Sequence, residues 1–155
     1  MKEKPSIDYL IRSTWLSISK MYNEQASKYD STMVIGFTLL SIDPKKGTPS
    51  TSLGPKMGIE PTSLSRTLKM LEERELIYKT SNSEDKRSVI INLTESGLKM
   101  RDLSRSVVFS FYNAVENKVP KEKLDIFYEV LDIIYNLTSN NKIFFQKETQ
   151  YSKIL

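Results

Sequence analysis

The stretch that decides the fold reads PTSLSRTLKMLEER over residues 61–74 and ELIYKTSNSEDKRSVIINLTESG over residues 75–97. Leu64, Leu68 and Leu71 recur at the i, i+4 and i+7 positions, a spacing that stacks side chains on one face of a helix. Pro61 suits the first turn, because its missing N–H would have no intrahelical partner there. The pattern predicts a helix over residues 61–74 with an apolar face turned towards a core.

The opposite face of this helix is polar. At 100° per residue, Thr62, Arg66 and Lys69 point away from the leucines. The hydroxyls of Ser63 and Ser65 and the free N–H groups of the first turn add further donors. This set suits contact with phosphates and base edges in a major groove. The alternative is that Arg66 is an ordinary solvated charge on an exposed helix face.

A hairpin follows the helix. Val89, Ile91 and Leu93 alternate with Ser88, Ile90 and Asn92, a period of two that is typical of a half-buried strand over residues 88–93. Its predicted partner covers residues 76–80, and the tip between them, residues 81–87, contains no apolar residue. Thr94 is placed to cap a new helix. The hairpin therefore presents a polar tip to water or to a polar partner.

The hairpin also carries a motif of fixed spacing. Asp85, one residue, Arg87, five residues, Leu93 and Thr94, two residues and Gly97 follow in order. This resembles the wing signature of the MarR family of bacterial transcription regulators. The similarity extends over roughly residues 30 to 137, and the motif combination is more specific than a helix-turn-helix alone.

The resemblance implies a single domain that is mainly α with a small β-hairpin wing. Residues 30–97 would form the winged helix-turn-helix DNA-binding part, and residues 1–29 and 98–155 the dimerisation helices. A homodimer would place two reading helices about 34–36 Å apart on a roughly palindromic operator in double-stranded DNA. Repression is expected from family frequency alone.

The helix pattern and the resemblance together single out residues for DNA contact. Arg87 matches the family's wing arginine, which reaches into the minor groove, where a narrow groove attracts a cation. Asp85 would orient Arg87, and Lys79 and Lys86 would contact the backbone. Asp85 and Arg87 could instead be only a structural pair within the loop. The predicted DNA-binding residues are Pro61, Thr62, Ser63, Ser65, Arg66, Lys69, Lys79, Asp85, Lys86 and Arg87.

Two positions depart from the family pattern. Glu75 stands where the family usually has glycine; in a left-handed conformation its side chain would cost about 1–2 kcal/mol. Pro55, after Gly54, falls in the first helix of the predicted helix-turn-helix. Because proline is tolerated only in about the first turn, that helix should begin no earlier than about Thr51, with Ser50 or Thr51 as its opening residue. Gly58 is expected to provide the turn into the reading helix.

Composition narrows the function classes. The chain has 155 residues, 39% of them hydrophobic and 27% charged, with no cysteine and no histidine. Disulfides, zinc fingers and thiol sensors are therefore excluded, no metal or cofactor is predicted, and the commonest general base is missing. An enzyme is disfavoured further by the lack of a phosphate loop. Of the net charge of +4, +3 falls within residues 45–87.

No apolar run is long enough for a membrane span, and the N-terminus lacks the apolar core of a signal peptide. A cytoplasmic location without membrane contact is expected. A winged helix that binds a protein partner or RNA instead of DNA is the second interpretation. A steep loss of binding with rising salt would favour nucleic acid.

The flanking segments predict helices and an interface. Residues 6–28, 33–42 and 95–118 are predicted helices, the second of them by resemblance, and residues 43–49 a loop. After Pro120, a last helix carries two apolar stripes. A surface helix needs one, so the second is expected to meet a partner subunit, unless the helix is sandwiched within one domain. Residues 141–155 are expected to pack along the dimer region, with a disordered end as the alternative.

Aromatic residues raise the question of a ligand. Family members commonly bind small aromatic or amphipathic molecules between the dimer helices and the reading domain. Candidate lining residues in this chain are Trp15, Tyr22, Phe37, Phe109 and Tyr112. Each is equally acceptable as plain core, and core packing is the favoured interpretation.

Overall fold

The structure, a computed structural model, describes residues 5–83 and 88–139 of the chain. The chain forms two compact units, Met1–Phe109 and Ser110–Leu155. The elements in order are α1 (Ile7–Ser27), α2 (Met33–Ser41), β1 (Thr48–Pro49), α3 (Ser50–Met57), α4 (Pro61–Glu73), β2 (Ile77–Ser81), β3 (Val89–Leu93), α5 (Glu95–Glu116) and α6 (Lys121–Ser139). The predicted fold class, mainly α with a small hairpin, is confirmed.

The core of the first unit forms around α2 and α4. The apolar segment predicted to be a buried helix is indeed α2, and Ile35 and Leu39 on it are almost completely buried. The leucine stripe of α4 packs against α2, with Leu71 fully buried. Leu53 of α3 is also fully buried in this core. Burial of the apolar stripe fixes which face of α4 remains in water.

The sheet is antiparallel with the strand order β1-β3-β2. Ile77 pairs with Leu93 at one end of the hairpin and Ser81 with Val89 at the other. The prediction that residues 43–49 are all loop was wrong for Thr48 and Pro49, which pair with β3 as an edge strand. Two residues are too few to show a period of two, and an edge position tolerates the missing N–H of proline.

Alternation along the second hairpin strand is confirmed on its core face, where Ile91 is fully buried. Ser88, assigned by alternation to the polar face, is nevertheless buried. Its hydroxyl accepts a hydrogen bond of 2.8 Å from the side-chain amide of Asn82. A hydrogen-bond partner just beyond the end of β2 therefore makes burial of this polar group acceptable.

Helix α3 begins at Ser50, one of the two predicted opening residues but one residue before the limit set by the proline argument, and Pro55 lies in its second turn rather than its first. Proline at this position removes one intrahelical bond, to the carbonyl of Thr51. Because Thr51 is exposed, water can satisfy that carbonyl. Gly58 ends the helix with φ at 64°, and the predicted turn is thereby confirmed.

The turn from α4 into β2 is left-handed at Glu75, whose φ is 55°. The N–H of Leu76 donates to the carbonyl of Leu71 at 2.9 Å, and the N–H of Glu75 to the carbonyl of Glu72 at 2.9 Å. Glu75 thus occupies the position at which helices commonly end with glycine. Its side chain is exposed, so only backbone strain distinguishes it from glycine there.

Replacing Glu75 with glycine is expected to raise the free energy of unfolding by about 1 kcal/mol, because glycine adopts positive φ without a steric cost. The measurement is urea unfolding followed by circular dichroism. Glu75→Ala, which removes the carboxylate but keeps the Cβ, is the matched control and should show no such gain. Equal stability of the two variants would contradict backbone strain at this turn.

The start of α5 is locked to this same turn. The hydroxyl of Thr94 donates to the carbonyl of Glu75 at 2.7 Å and accepts from the N–H of Gly97 at 2.9 Å. The N–H of Thr94 donates to the carbonyl of Leu76 at 3.1 Å. The predicted capping role of Thr94 is therefore confirmed. A Cβ placed on Gly97 would lie 1.9 Å from the carbonyl oxygen of Leu76, so no other residue fits there without a backbone shift.

Helix α1 begins after Ser6, close to its predicted start. The favoured interpretation of its aromatic residues as core is right for Tyr22, which is buried, and wrong for Trp15, whose side chain is 50% exposed. Trp15 shares its exposure with large apolar residues of the first turns, among them Leu10 and Ile11. Periodicity identified an apolar face on α1 but not what covers it.

In the second unit, α6 follows Pro120, and Leu124 on its first turn is buried. The stripe of Ile126, Val130, Ile133 and Leu137 is exposed in the single chain. Within the described ranges, no helix is both long and apolar enough to cross a membrane. The predicted packing of residues 141–155 lies outside the described residues.

Candidate nucleic-acid interface

The exposed face of α4 carries the residues predicted for the major groove. Thr62, Ser63, Ser65, Arg66 and Lys69 are all exposed, while the leucine stripe beneath them is buried. The helical period alone places these five side chains on one outer surface. They form a continuous polar surface, which we call the reading face.

The N-terminus of α4 adds backbone donors. Pro61 is its first residue, as predicted, and Glu60 precedes it without a side-chain cap. The first intrahelical bond runs from the N–H of Leu64 to the carbonyl of Glu60 at 3.0 Å. The amides of Thr62 and Ser63 precede it and have no acceptor in the helix. Partial positive charge at this end favours a phosphate.

The two cations of the reading face differ in their partners. Among the described residues, Arg66 has neither an ion pair nor a hydrogen bond. Lys69 lies 3.8 Å from Glu73, and both side chains are strongly exposed, at 77% and 64%. An exposed pair of this kind is worth about 0–1 kcal/mol, so Lys69 can leave Glu73 for another anion at little energetic cost. Both cations are therefore available to DNA.

Lys79, predicted to contact the DNA backbone, is placed differently. Its Nζ donates to Oε2 of Glu72, so that β2 is joined to α4 by an ion pair. The two side chains are only 37% and 43% exposed. Asp85, Lys86 and Arg87, the predicted wing contacts, lie outside the described residues. They belong to the connection between Ser81 and Val89, the paired ends of β2 and β3.

Of the five aromatic residues considered for a ligand site, the structure brings two together. The rings of Tyr22 and Phe37 meet edge to face with centroids 5.6 Å apart. Burial raises the pKa of the Tyr22 phenol. Both rings line an apolar cleft between α1, α2 and residues 100–108 of α5. The space open to water in this cleft is only about 40 Å³.

The other three aromatic residues do not line this cleft. Trp15 and Phe109 are about half exposed, and Arg105 lies over the ring of Phe109 at 5.2 Å. Tyr112 belongs to the second unit, where its hydroxyl donates to Glu116 at 2.6 Å and this bond raises the pKa of the phenol. These three were not core either, since each is more than 40% exposed.

Sequence reasoning missed the α5 side of the cleft. Leu103, Ser104 and Val107 line it, and a Cβ on Gly36 of α2 would lie 3.0 Å from Oγ of Ser104. Leu103 and Val107 stand four residues apart, and this spacing is the signal in the sequence that could have identified this face. Nothing in the sequence indicated that it would pack across a glycine.

Known proteins resemble this chain in sequence. The family model described as MarR family matches residues 32–89. The HTH-type transcriptional regulator SarZ of Staphylococcus aureus is 27% identical over 138 residues, which cover 87% of this chain and 83% of SarZ. The segment matched by the family model, residues 32–89, contains α2, α3 and the whole of α4.

Two solved structures share the fold. The MepR–DNA complex of S. aureus superposes with a TM-score of 0.78 at 21% identity, covering 86% of this chain and 98% of MepR. CouR of Rhodococcus jostii RHA1, bound to p-coumaroyl-CoA, superposes with a TM-score of 0.71 at 20% identity, covering 83% of this chain and 91% of CouR. The predicted winged helix-turn-helix fold is confirmed.

Proposed function

We propose that the chain is a DNA-binding transcription regulator of the MarR family, which binds a pseudo-palindromic operator as a homodimer and represses transcription. The observation that carries the proposal is the reading face, five polar residues held outward by a buried leucine stripe. MepR, which has the same fold, was solved in complex with DNA. The donors on the reading face suit the base edges and phosphates of a major groove, so α4 is the element proposed to enter it.

Each residue of the interface has a proposed role. Arg66 and Lys69 contact base edges or flanking phosphates, and the hydroxyls of Thr62, Ser63 and Ser65 donate to phosphates. Pro61 begins the helix so that its free amides face the DNA. Arg87 enters the minor groove, oriented by Asp85, while Lys86 contacts the backbone. The regulator acts where the chromosome is, in the cytoplasm.

Regulation by a small ligand fits the cleft at Tyr22 and Phe37. A ligand pocket usually has about 300–1,000 Å³, far more than the 40 Å³ open here, so binding requires that the helices separate. Ser104 approaches Gly36 so closely that an added Cβ would lie 3.0 Å from its Oγ, and this is where α2 and α5 would part. Among the described lining residues none carries a formal charge, which favours an aromatic or amphipathic ligand that presents an uncharged part.

The deciding experiment measures binding of the purified protein to DNA from its own promoter region at several salt concentrations. Saturable binding that weakens steeply with salt is expected. The Arg66→Ala/Arg87→Ala variant should bind at least about thirtyfold more weakly, since each contact is worth about 1–3 kcal/mol.

Lys118→Ala/Lys123→Ala is the matched control, because it removes the same charge from exposed lysines outside the reading face. It should bind nearly as well as the unaltered protein. If the arginine variant bound as tightly as this control, the proposed DNA contacts would be wrong. Absence of specific binding at low salt by the unaltered protein would favour a winged helix that binds a protein partner or RNA.

A further inference from the structure

The ion pair between Lys79 and Glu72 differs from the other ion pairs of the described residues. Those pairs join residues of one helix, such as Lys69 with Glu73 and Lys121 with Asp125. Lys79 and Glu72 instead lie on different elements, β2 and α4. Their side chains are also less exposed than those of the four pairs whose members are four residues apart on one helix. The pair is therefore a tertiary contact.

This contact joins the two elements that must reach DNA together. The backbone connection between them is the turn at Glu75, held by the bond from the N–H of Leu76 to the carbonyl of Leu71. The base of the hairpin is also packed into the core, because Ile77 and Leu93 are buried. Beyond this base, residues 78–80 of β2 are exposed, so a contact there adds a separate restraint on the angle between the hairpin and α4. Lys79 and Glu72 supply that contact.

A lysine in this arrangement is poorly suited to a phosphate contact. To reach a phosphate, Nζ of Lys79 would have to leave the carboxylate of Glu72. A pair with no net charge also releases few counterions when it approaches DNA. The reading face differs in this respect, because Arg66 has no partner among the described residues.

We infer that Lys79 and Glu72 are positioning residues, which hold the hairpin at the angle to α4 that lets the reading face and the wing engage DNA at once. This role rests on the proposed DNA-binding function and replaces the predicted phosphate contact of Lys79. It assigns Glu72, which the sequence did not single out, a part in DNA affinity. The pair acts through the hairpin and touches no base or phosphate.

The test is a double-mutant cycle of Lys79→Gln and Glu72→Gln, read as operator affinity over a range of salt. Each single variant is expected to bind about threefold to fivefold more weakly, the size of effect that a partly exposed ion pair supports. The double variant should be no weaker than either single one. The slope of log affinity against log salt should stay unchanged in all three, because no phosphate contact is lost.

The charge swap Glu72→Lys/Lys79→Glu gives the sharpest contrast. As a positioning pair it restores binding to within about twofold of the unaltered protein, because the contact is re-formed with its signs exchanged. Thermal unfolding of each variant verifies that it is folded.

The opposite results would overturn the inference. If Lys79 contacted a phosphate, Lys79→Gln would lower the salt slope by about 0.9, Glu72→Gln would tighten binding, and the swap would bind worst of all. Unchanged affinity in both single variants would also refute a positioning role. Failure of the unaltered protein to bind DNA would instead refute the proposed function, so the two failures are distinguishable.

Discussion

Replacing Gly97 with alanine is expected to lower the free energy of unfolding by about 3 kcal/mol or more, an effect confined to a few kinds of structural defect. The added Cβ would lie 1.9 Å from the carbonyl oxygen of Leu76 and 3.0 Å from its carbon. These are backbone atoms, so no side-chain rotation relieves the overlap. The oxygen is also held in place, since it accepts the N–H of Thr94 at 3.1 Å.

The measurement for Gly97→Ala is urea unfolding together with a thermal melt. Gly54→Ala is the matched control, because the same methyl group at that position would meet only ordinary contacts, 3.4 Å to the carbonyl of Ile59 and 3.6 Å to Leu64. Gly54 lies inside α3, where alanine should stabilise by about 0.5–1 kcal/mol. Similar free energies of unfolding for the two variants would show that the backbone around Gly97 shifts to accommodate the methyl group at little cost.

Replacing Ile133 with glutamate is expected to convert a dimer into a monomer and to weaken operator binding by about a hundredfold. Ile126, Val130, Ile133 and Leu137 form one stripe along α6, exposed by 59%, 46%, 52% and 47% in the single chain. A contiguous apolar surface of this kind marks an interaction site. A charge at its centre would lose its hydration in the proposed dimer without gaining a partner.

Light scattering coupled to size exclusion would report the change, from twice 17.9 kDa to the single-chain mass of 17.9 kDa. The affinity loss follows because two linked reading helices gain about 10²–10⁴ in avidity over one. Asn136→Glu adds the same charge to the polar face of α6, where Asn136 is bonded to Asp132, and should remain dimeric. A dimeric Ile133→Glu would place the subunit interface elsewhere.

Structural features that depend on residues close together in the sequence were predicted correctly, whereas features that depend on residues far apart in the sequence were missed. The stripe Leu64, Leu68 and Leu71 and the cap at Thr94 are set by residues within a few positions, and both were predicted correctly. The pairing of Thr48 with Ile91 joins residues far apart in the chain and was missed. No local pattern encodes a two-residue strand.

The candidate site divides in the same way. Helical period predicted the reading face, including the exposure of Arg66, because one helix determines it. The partner of Lys79 could not be read from sequence, since Glu72 reaches it only after α4 and β2 have packed. The prediction that Trp15 packs in the core was wrong. An apolar position on a helix predicts burial but does not specify whether the same chain or another molecule buries it.

The junction of Thr94 also constrains the order in which the chain folds. Its hydroxyl bonds to Glu75, so this contact closes a loop across 19 positions of the sequence. The bond from Thr94 to Glu75 therefore forms only when the hairpin between these residues has closed. Local helix formation is fast, whereas a contact of this separation waits for loop closure. The reading helix, the hairpin and the start of α5 are thus coupled into one cooperative folding step, and partial forms with a free wing are suppressed.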